Sequence, residues 1–333
     1  MSRVDVVIPC YKYGHYLRGC VESVLRQEGV EVRVLILDDA SPDNTPEVAA
    51  TLVRQDSRVE YRRHAVNRGH IDTYNEGLLE WASGDYALLI SADDLLAPGA
   101  LGRAAKVMDA NPEVGLVHGR QQLFANDPSP EPSHGSDGVS IISGQTFVEE
   151  CCAIAHNPVA TPTAVVRTSV QHAVGGYRKT LPHTADMELW LRFAARSAIA
   201  KVDTLQAFKR IHTSNMQHQY LETALLDLKE RHDTFEAFFR ADGQRVADHP
   251  HLHALALRRL AEGAFWAASV AFDRGDQTGC QQCLDYALLC CPDLIDSKEW
   301  ARLRWKRRIG TRLWNLFRYI VDPLRSRNTA LAS

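Results

Sequence analysis

Through its N-terminal half this chain alternates short, β-branched apolar runs with amphipathic helical patterns, and that order admits few folds. A strand, a helix and a second strand repeated along the sequence specify a largely parallel sheet covered by helices. Val4-Asp5-Val6-Val7-Ile8 reads as the first strand. Leu17, Cys20, Val21, Val24 and Leu25 then recur at the spacing of one helix face. Val32 to Leu37 is a nearly continuous aliphatic run, as expected of a strand buried on both sides. Thr45-Pro46 opens a capped helix with proline in its first turn. Arg58 to Arg62 reads as a strand, Asn75 to Trp81 as a helix and Tyr86 to Ile90 as another buried strand. Pro98 opens a helix through Met108, and Val114 to Val117 is a further strand.

From Tyr220 onward only helical periodicity remains, which divides the chain into an α/β domain over 1–218 and a helical domain over 219–333. The stretch from Ala125 to Gly138, rich in Pro, Ser, Asp and Gly, reads as a surface loop, either a lid or a tolerated insertion. Leu260 to Pro292 resembles one tetratricopeptide-like helix pair, too little for a stacked array. Past Trp300, Arg302, Arg304, Lys306, Arg307, Arg308, Arg312 and Arg318 accompany an apolar stripe of Leu313, Leu316, Phe317, Ile320, Val321 and Leu324. Such a segment, 300–325, suits peripheral contact with an anionic membrane and equally suits docking on the protein's own body.

With 38 basic and 41 acidic residues the formal charge is -3, so nothing global draws the chain to nucleic acid. No apolar run reaches the roughly 18 residues that a spanning helix needs, and the charged, short start does not read as a signal peptide. The expectation is a cytoplasmic protein, peripheral at most at the inner face of the membrane. The 8 cysteines fall mostly in apolar segments and read as reduced packing residues. Cys280, Cys283, Cys290 and Cys291 make a poor zinc quartet, because a vicinal pair on a helix is not the usual ligand spacing.

Two acidic pairs sit immediately past strands: Asp38-Asp39 after Val32 to Leu37, and Asp93-Asp94 after Tyr86 to Ile90. Ligands of an open parallel sheet bind outside the carboxyl ends of its strands, so both pairs should face one crevice. One such pair is as often a turn or a helix cap. Two adjacent carboxylates repel unless a cation compensates. Mg²⁺ or Mn²⁺, held by one or two carboxylates and completed by substrate phosphates, is the natural compensation, with Asp94 or Asp93 as ligand.

Pro9-Cys10-Tyr11, Asp38-Asp39-Ala40-Ser41-Pro42-Asp43, Asn67-Arg68-Gly69, Asn75-Glu76-Gly77, Gly84-Asp85-Tyr86 and Ala92-Asp93-Asp94 resemble, in that order, the family-2 glycosyltransferases of the GT-A fold. The resemblance continues through Gly175-Gly176-Tyr177, Asp186 to Arg192 and Arg210-Ile211-His212, and covers about Val4 to Met216. It implies a Rossmann-like sheet, a nucleotide-diphosphate sugar as donor and inversion at the sugar. By the resemblance Pro9, Tyr11, Asp39, Arg68 and Asp93 would bind the donor, with Tyr11 stacking on the base and Asp39 accepting its ring N–H. A carboxylate can pair with the N3–H of uracil or thymine but finds none on cytosine, which favours a UDP-sugar and leaves thymidine and guanosine donors open. Asp94 and His212 would hold the metal and Asp186 would be the general base. The acceptor would be a hydroxyl of a glycan, a lipid-linked glycan or a natural product. His70, His156 and His183 read as structural.

The sequence departs from the family pattern at Lys12, where Asn is common, at Thr73-Tyr74 in place of Ala-Arg, and at Ala185 in place of an acid. The Gln-x-x-Arg-Trp element of processive synthases is missing. Two other readings compete. A nucleotidyltransferase would want a Gly-rich basic loop after the first strand, of which Pro9 to Gly14 is a poor version. A non-catalytic scaffold would have no need of Asp39, Asp94 and Asp186.

Overall fold

In the computed structural model, residues 1–125, 138–212, 224–311 and 313–314 are described. The chain divides into two compact units, one of Met1–Cys151, His156–His218 and Asp233–His249, the other of Cys152–Ala155, Gln219–His232 and Pro250–Ser333. The loop expected near 125–138, the boundary expected at 218/219 and the stripe beyond Trp314 lie outside the described residues.

The first unit is built on one mixed sheet. Its strands are β1 (Arg3–Cys10), β2 (Glu31–Asp38), β3 (Val59–Arg63), β4 (Tyr86–Leu89), β5 (Leu95–Leu96), β6 (Val114–Phe124), β7 (Val139–Ile142), β8 (Val165–Arg167) and β9 (Ala198–Arg210). They lie in the order β3-β2-β1-β4-β8-β6-β9-β5, with β7 also on β9. β3, β2, β1 and β4 run parallel, as the alternating pattern requires. β8 reverses between β4 and β6, and β5 and β7 run antiparallel to β9. The strand expected over Val114 to Val117 continues to Phe124, because β9 lies beside it as a partner over the whole length.

Helices α1 (Gly14–Leu25), α2 (Thr45–Gln55), α3 (His70–Asn75), α4 (Ala100–Ala110), α5 (Gly144–Ile154), α6 (Thr168–Val174) and α7 (Ala185–Ala194) connect these strands. Leu17, Cys20, Val21 and Val24 of α1 pack with Val4, Val6 and Ile8 of β1 and with Leu101, Ala104 and Met108 of α4 in one core. The helix expected to open at Pro98 begins at Ala100, since Gly99 takes a left-handed φ of 72°. At α2 the N-cap is Asn44, and Asp43 just before it accepts through Oδ1 from the Thr45 backbone N–H at 3.2 Å and hydroxyl at 2.6 Å. All 8 cysteines are free thiols, those of the sheet unit buried.

The helix read over Asn75 to Trp81 starts earlier, at His70, and becomes a π-helical turn over Glu76–Trp81. Gly77 explains how close this turn lies to the sheet: a Cβ there would stand 2.3 Å from Val7 Cγ1 and 3.1 Å from Leu37 Cδ1. π-turns of this kind recur at functional sites.

The remaining helices are α8 (Ala224–Ala241), α9 (His249–Arg274), α10 (Gln277–Cys290) and α11 (Lys298–Ile309). In the second unit Phe265 packs against Trp300 at a centroid distance of 5.7 Å, and the Tyr286 hydroxyl donates to the Leu228 carbonyl at 3.1 Å. Among the described residues no helix is long and apolar enough to cross a membrane.

Gly77→Ala is expected to lower unfolding stability by about 1–3 kcal/mol, the range for overpacking a filled core. Urea denaturation measures it, and an unchanged midpoint would mean that the turn can retreat from Val7 without cost.

Candidate active site

Because β2, β1 and β4 are parallel and adjacent, their carboxyl ends open on one edge. Cys10 stands opposite Asp38, and Val7 opposite Leu89, so Tyr11, Asp39 and the Ser91-to-Asp94 turn emerge side by side. The Asp39 N–H donates to the Cys10 carbonyl at 3.0 Å, and the Lys12 N–H to Ser41 Oγ at 3.1 Å. Both turns pass through left-handed backbone without glycine: Lys12 at φ 64° and Ala40 at φ 59°. Tyr11 is 40% exposed above this edge, while Pro9 is paired within β1.

Asp39 is almost fully engaged. Its carboxylate accepts from the backbone N–H of Arg68 at 2.7 Å and of Gly69 at 2.9 Å, and meets His64 Nδ1 at 2.7 Å. His64 Nε2 meets Glu76 at 3.1 Å, and Arg68 Nη1 bonds the same carboxylate at 2.7 Å. Asp38, fully buried, accepts from Ser41 N–H and the Tyr61 hydroxyl. The first acidic pair therefore shapes the 64–69 loop as well as facing the edge; Glu76 comes from the Asn75-Glu76-Gly77 motif, while His64 joins the site from a position the sequence patterns did not single out.

The second pair is held differently. β5 pairs with β9, setting Leu95 opposite Phe208, so Asp94 Oδ1 accepts from the Arg210 backbone N–H at 2.9 Å. Arg210 Nε donates to the Asp93 carbonyl at 3.1 Å while its guanidinium lies over the rings of Tyr16 and Phe124, 4.4 Å from each. His212 Nε2 meets Asp93 Oδ2 at 3.0 Å, stacked on Tyr16 and edge-on to Tyr13. It contacts Asp93 rather than Asp94. Burial first, and then the neighbouring charge of Asp93, push the Asp94 carboxyl up to about 7. Such a desolvated pair of hard oxygen donors fits a divalent cation. Among the described residues no three His, Cys, Asp or Glu side chains converge as a complete ligand set, so an ion here would be completed by substrate oxygens.

Asp186 lies in the first turn of α7, whose N-cap is Thr184, so it is not itself the cap. Thr184 Oγ1 is anchored by Thr234 Oγ1 of α8 at 2.7 Å. The Asp186 carboxylate accepts from Thr161 Oγ1 at 3.0 Å and from Met187 N–H at 2.7 Å. Burial raises it above the usual carboxylate range, against these bonds and the nearby charges of His183 and Lys209. His183, expected to be structural, thus sits beside the candidate base.

One residue joins the halves. Burial, followed by the charges of Asp93, Asp186 and Asp94, pushes the Tyr74 phenol far above its ordinary value. The Asp93-Asp94 pair and Asp186, far apart in sequence, thus bear on a single phenol. Tyr74 rests edge-on against Tyr177 with ring centroids 5.5 Å apart, and Asn75 clasps the backbone of Tyr177 through two hydrogen bonds. Among the described residues, Tyr177 Oη, which feels the Asp186 charge, and Trp190 Nε1 are buried without hydrogen-bond partners. A cavity of about 710 Å³ lies instead at the amino edge of the sheet. There Asp109 is committed to Tyr86 and Ser2, and Arg167 to three backbone carbonyls.

Residues 5–161 match the family model described as glycosyl transferase family 2. An uncharacterised Mycobacterium tuberculosis protein, MT1568, is 28% identical over 226 residues, 63% of this chain and 67% of that one. The next curated relatives are matched over only 31–38% of their own length. Among solved structures, S. aureus TarS 1–349 in complex with UDP-GlcNAc superposes with a TM-score of 0.64 at 15% identity, over 98% of this chain and 92% of TarS. The mannosyltransferase PcManGT of Pyrobaculum calidifontis, in complex with GDP-Man and Mn²⁺, gives a TM-score of 0.55 at 15% identity, over 89% and 88% of the two chains. The fold is therefore GT-A.

Two expectations follow from this geometry. Asp94 has a higher pKa folded than its ordinary 3.8, so the folded protein holds the extra proton and loses stability as pH rises toward and through about 7. Asn at 94 keeps the acceptor for Arg210 and removes the charge. In metal-free buffer Asp94→Asn should therefore stabilise the protein by on the order of 1–3 kcal/mol at about pH 8 and hardly at all at about pH 4. Thermal unfolding across pH reads this, and destabilisation at the higher pH would refute the uncompensated pair. Separately, Lys12→Gly or Ala40→Gly should each gain about 0.5–1 kcal/mol by relieving left-handed strain. A loss of stability in denaturant unfolding would count against that backbone.

Proposed function

We propose that this chain, whose residues 5–161 match the model of glycosyl transferase family 2, moves a sugar from a UDP-sugar to a hydroxyl acceptor with inversion. The observation that carries this reading is the buried Asp93-Asp94 pair at the carboxyl end of β4, held by Arg210 and His212, together with Asp186, whose charge bears with theirs on the one Tyr74 phenol. Two of these acids suit a cation and diphosphate, and the third suits a proton acceptor.

Tyr11, exposed at the end of β1, offers a face for the nucleobase. Asp39 accepts three hydrogen bonds, which leaves its carboxylate room for the N3–H of uracil. Arg68 and Pro9 complete the donor edge, and Asp93 reaches the ribose or the sugar. Asp94 and His212, the latter already against Asp93, would hold Mn²⁺ or Mg²⁺. When bound, the ion neutralises charge on the departing diphosphate. That UDP-GlcNAc is bound by TarS, and Mn²⁺ by PcManGT, supports this choice of donor and metal.

In the reaction the acceptor oxygen forms a bond to the anomeric carbon as the bond from that carbon to the diphosphate oxygen breaks. Asp186 takes the hydroxyl proton, and the nucleoside diphosphate leaves. Burial of Asp186 raises its proton affinity toward the operating pH, which improves a general base. The acceptor is a glycan, a lipid-linked glycan or a natural product hydroxyl.

Asp186→Asn should reduce UDP release from UDP-GlcNAc and Mn²⁺ by about 10²–10⁴-fold while UDP-GlcNAc still raises the melting temperature. Turnover within a few fold of wild type would remove Asp186 from the role of base. Release of pyrophosphate in place of UDP would convert the reading to a nucleotidyltransferase.

A further inference from the structure

Helix α11 has two unlike halves. Trp300 and Leu303 are buried, Lys306 reaches Asp273 at 3.1 Å and Ser269 at 3.2 Å, and Arg307 donates to Gln281 at 2.7 Å. At about 100° per residue these four lie on one half of the helix. Lys298, Ala301, Arg302, Arg304, Trp305 and Arg308 take the other half, and all six are exposed. Trp305 is 54% exposed, with Trp314 edge-on at 6.2 Å. Among the described residues, Lys298, Arg302, Arg304 and Arg308 have no carboxylate within ion-pair distance.

A row of charges on a helix is ordinarily just a solvated face. Here, however, four cations with no compensating acid surround an outward indole, in a chain whose formal charge is -3. An amphipathic ring at the centre of a basic face matches the layer where lipid phosphates meet acyl chains. The inward half is already occupied, which leaves this face to lie flat on a surface.

We propose that the outward face of α11 docks on an anionic phospholipid bilayer, with Lys298, Arg302, Arg304 and Arg308 against the phosphates and Trp305 in the interfacial layer. Each basic residue near such a surface strengthens partitioning about fivefold, from about 1 kcal/mol apiece. A duplex nucleic acid would take the same charges but gives the indole no apolar layer.

The test is co-sedimentation of the full chain with vesicles of phosphatidylcholine alone and of phosphatidylcholine mixed with phosphatidylglycerol. The expected result is binding to the mixed vesicles only, weakened by salt. Arg302→Gln should lower partitioning about fivefold and Arg302→Gln, Arg304→Gln and Arg308→Gln together about a hundredfold. Trp305→Ala should weaken binding without altering its salt dependence. UDP-GlcNAc should stabilise all variants as it does the wild type, since none of these residues belongs to the donor site. Equal binding to both vesicles, no binding at low salt, or a triple variant that binds like the wild type would overturn the proposal. So would a wild type that ignores vesicles but binds a DNA duplex through these arginines.

Discussion

Two carboxylates, Asp93 and Asp94, are nearly shut off from water at the carboxyl end of β4, and much of the sheet unit answers to that cost. Two neighbouring acids in a desolvated turn cannot both ionise cheaply. The chain compensates them in part, with the Arg210 backbone N–H and nearby charge on Asp94 and with His212 on the Asp93 carboxylate, while the Arg210 guanidinium bonds only the Asp93 backbone carbonyl. These groups come from the far end of β9, so the antiparallel β5–β9 pairing is what allows the acid pair to be buried at all. The compensation is incomplete, as the raised Asp94 carboxyl records. A cation carrying a diphosphate would complete it.

The first acidic pair answers a different demand. Asp38 and Asp39 tie down backbone N–H groups of the turns beyond β2 and β3, giving the edge a fixed shape before any ligand arrives. Lys12 and Ala40 hold left-handed backbone in the turns beyond β1 and β2, strain that the bond between those two loops sustains. On the other side, α8 braces the start of α7 and Asn75 clasps Tyr177, so Asp186 is presented from a rigid wall. Rigidity of this kind suits a site whose work is positioning and electrostatic compensation.

Much of this was legible in the sequence. The parallel half of the sheet follows from β-branched runs alternating with helical stripes, and acids placed just past strand ends had to share an edge. The short strands were not legible: Leu95–Leu96 and Val165–Arg167 are too brief to carry a period, and only their neighbours define them. Nor could local pattern find His64, which earns its place by bridging Asp39 and Glu76. Tyr74 stood out only as a departure from the family, and its meaning came from the fold, which lets the charges of Asp93, Asp94 and Asp186 all bear on it. The left-handed turns at Lys12 and Ala40 carried no glycine to announce them.

The most direct measurement is calorimetric titration of UDP-GlcNAc with Mn²⁺, repeated in buffers of different ionisation enthalpy. If the buried pair is where cation and diphosphate dock, binding must expel the proton that Asp94 holds below about pH 7. The account predicts release of about one proton at mildly acid pH, fading as pH rises past Asp94's own titration. Tight, metal-dependent binding with no proton release across that range would contradict it.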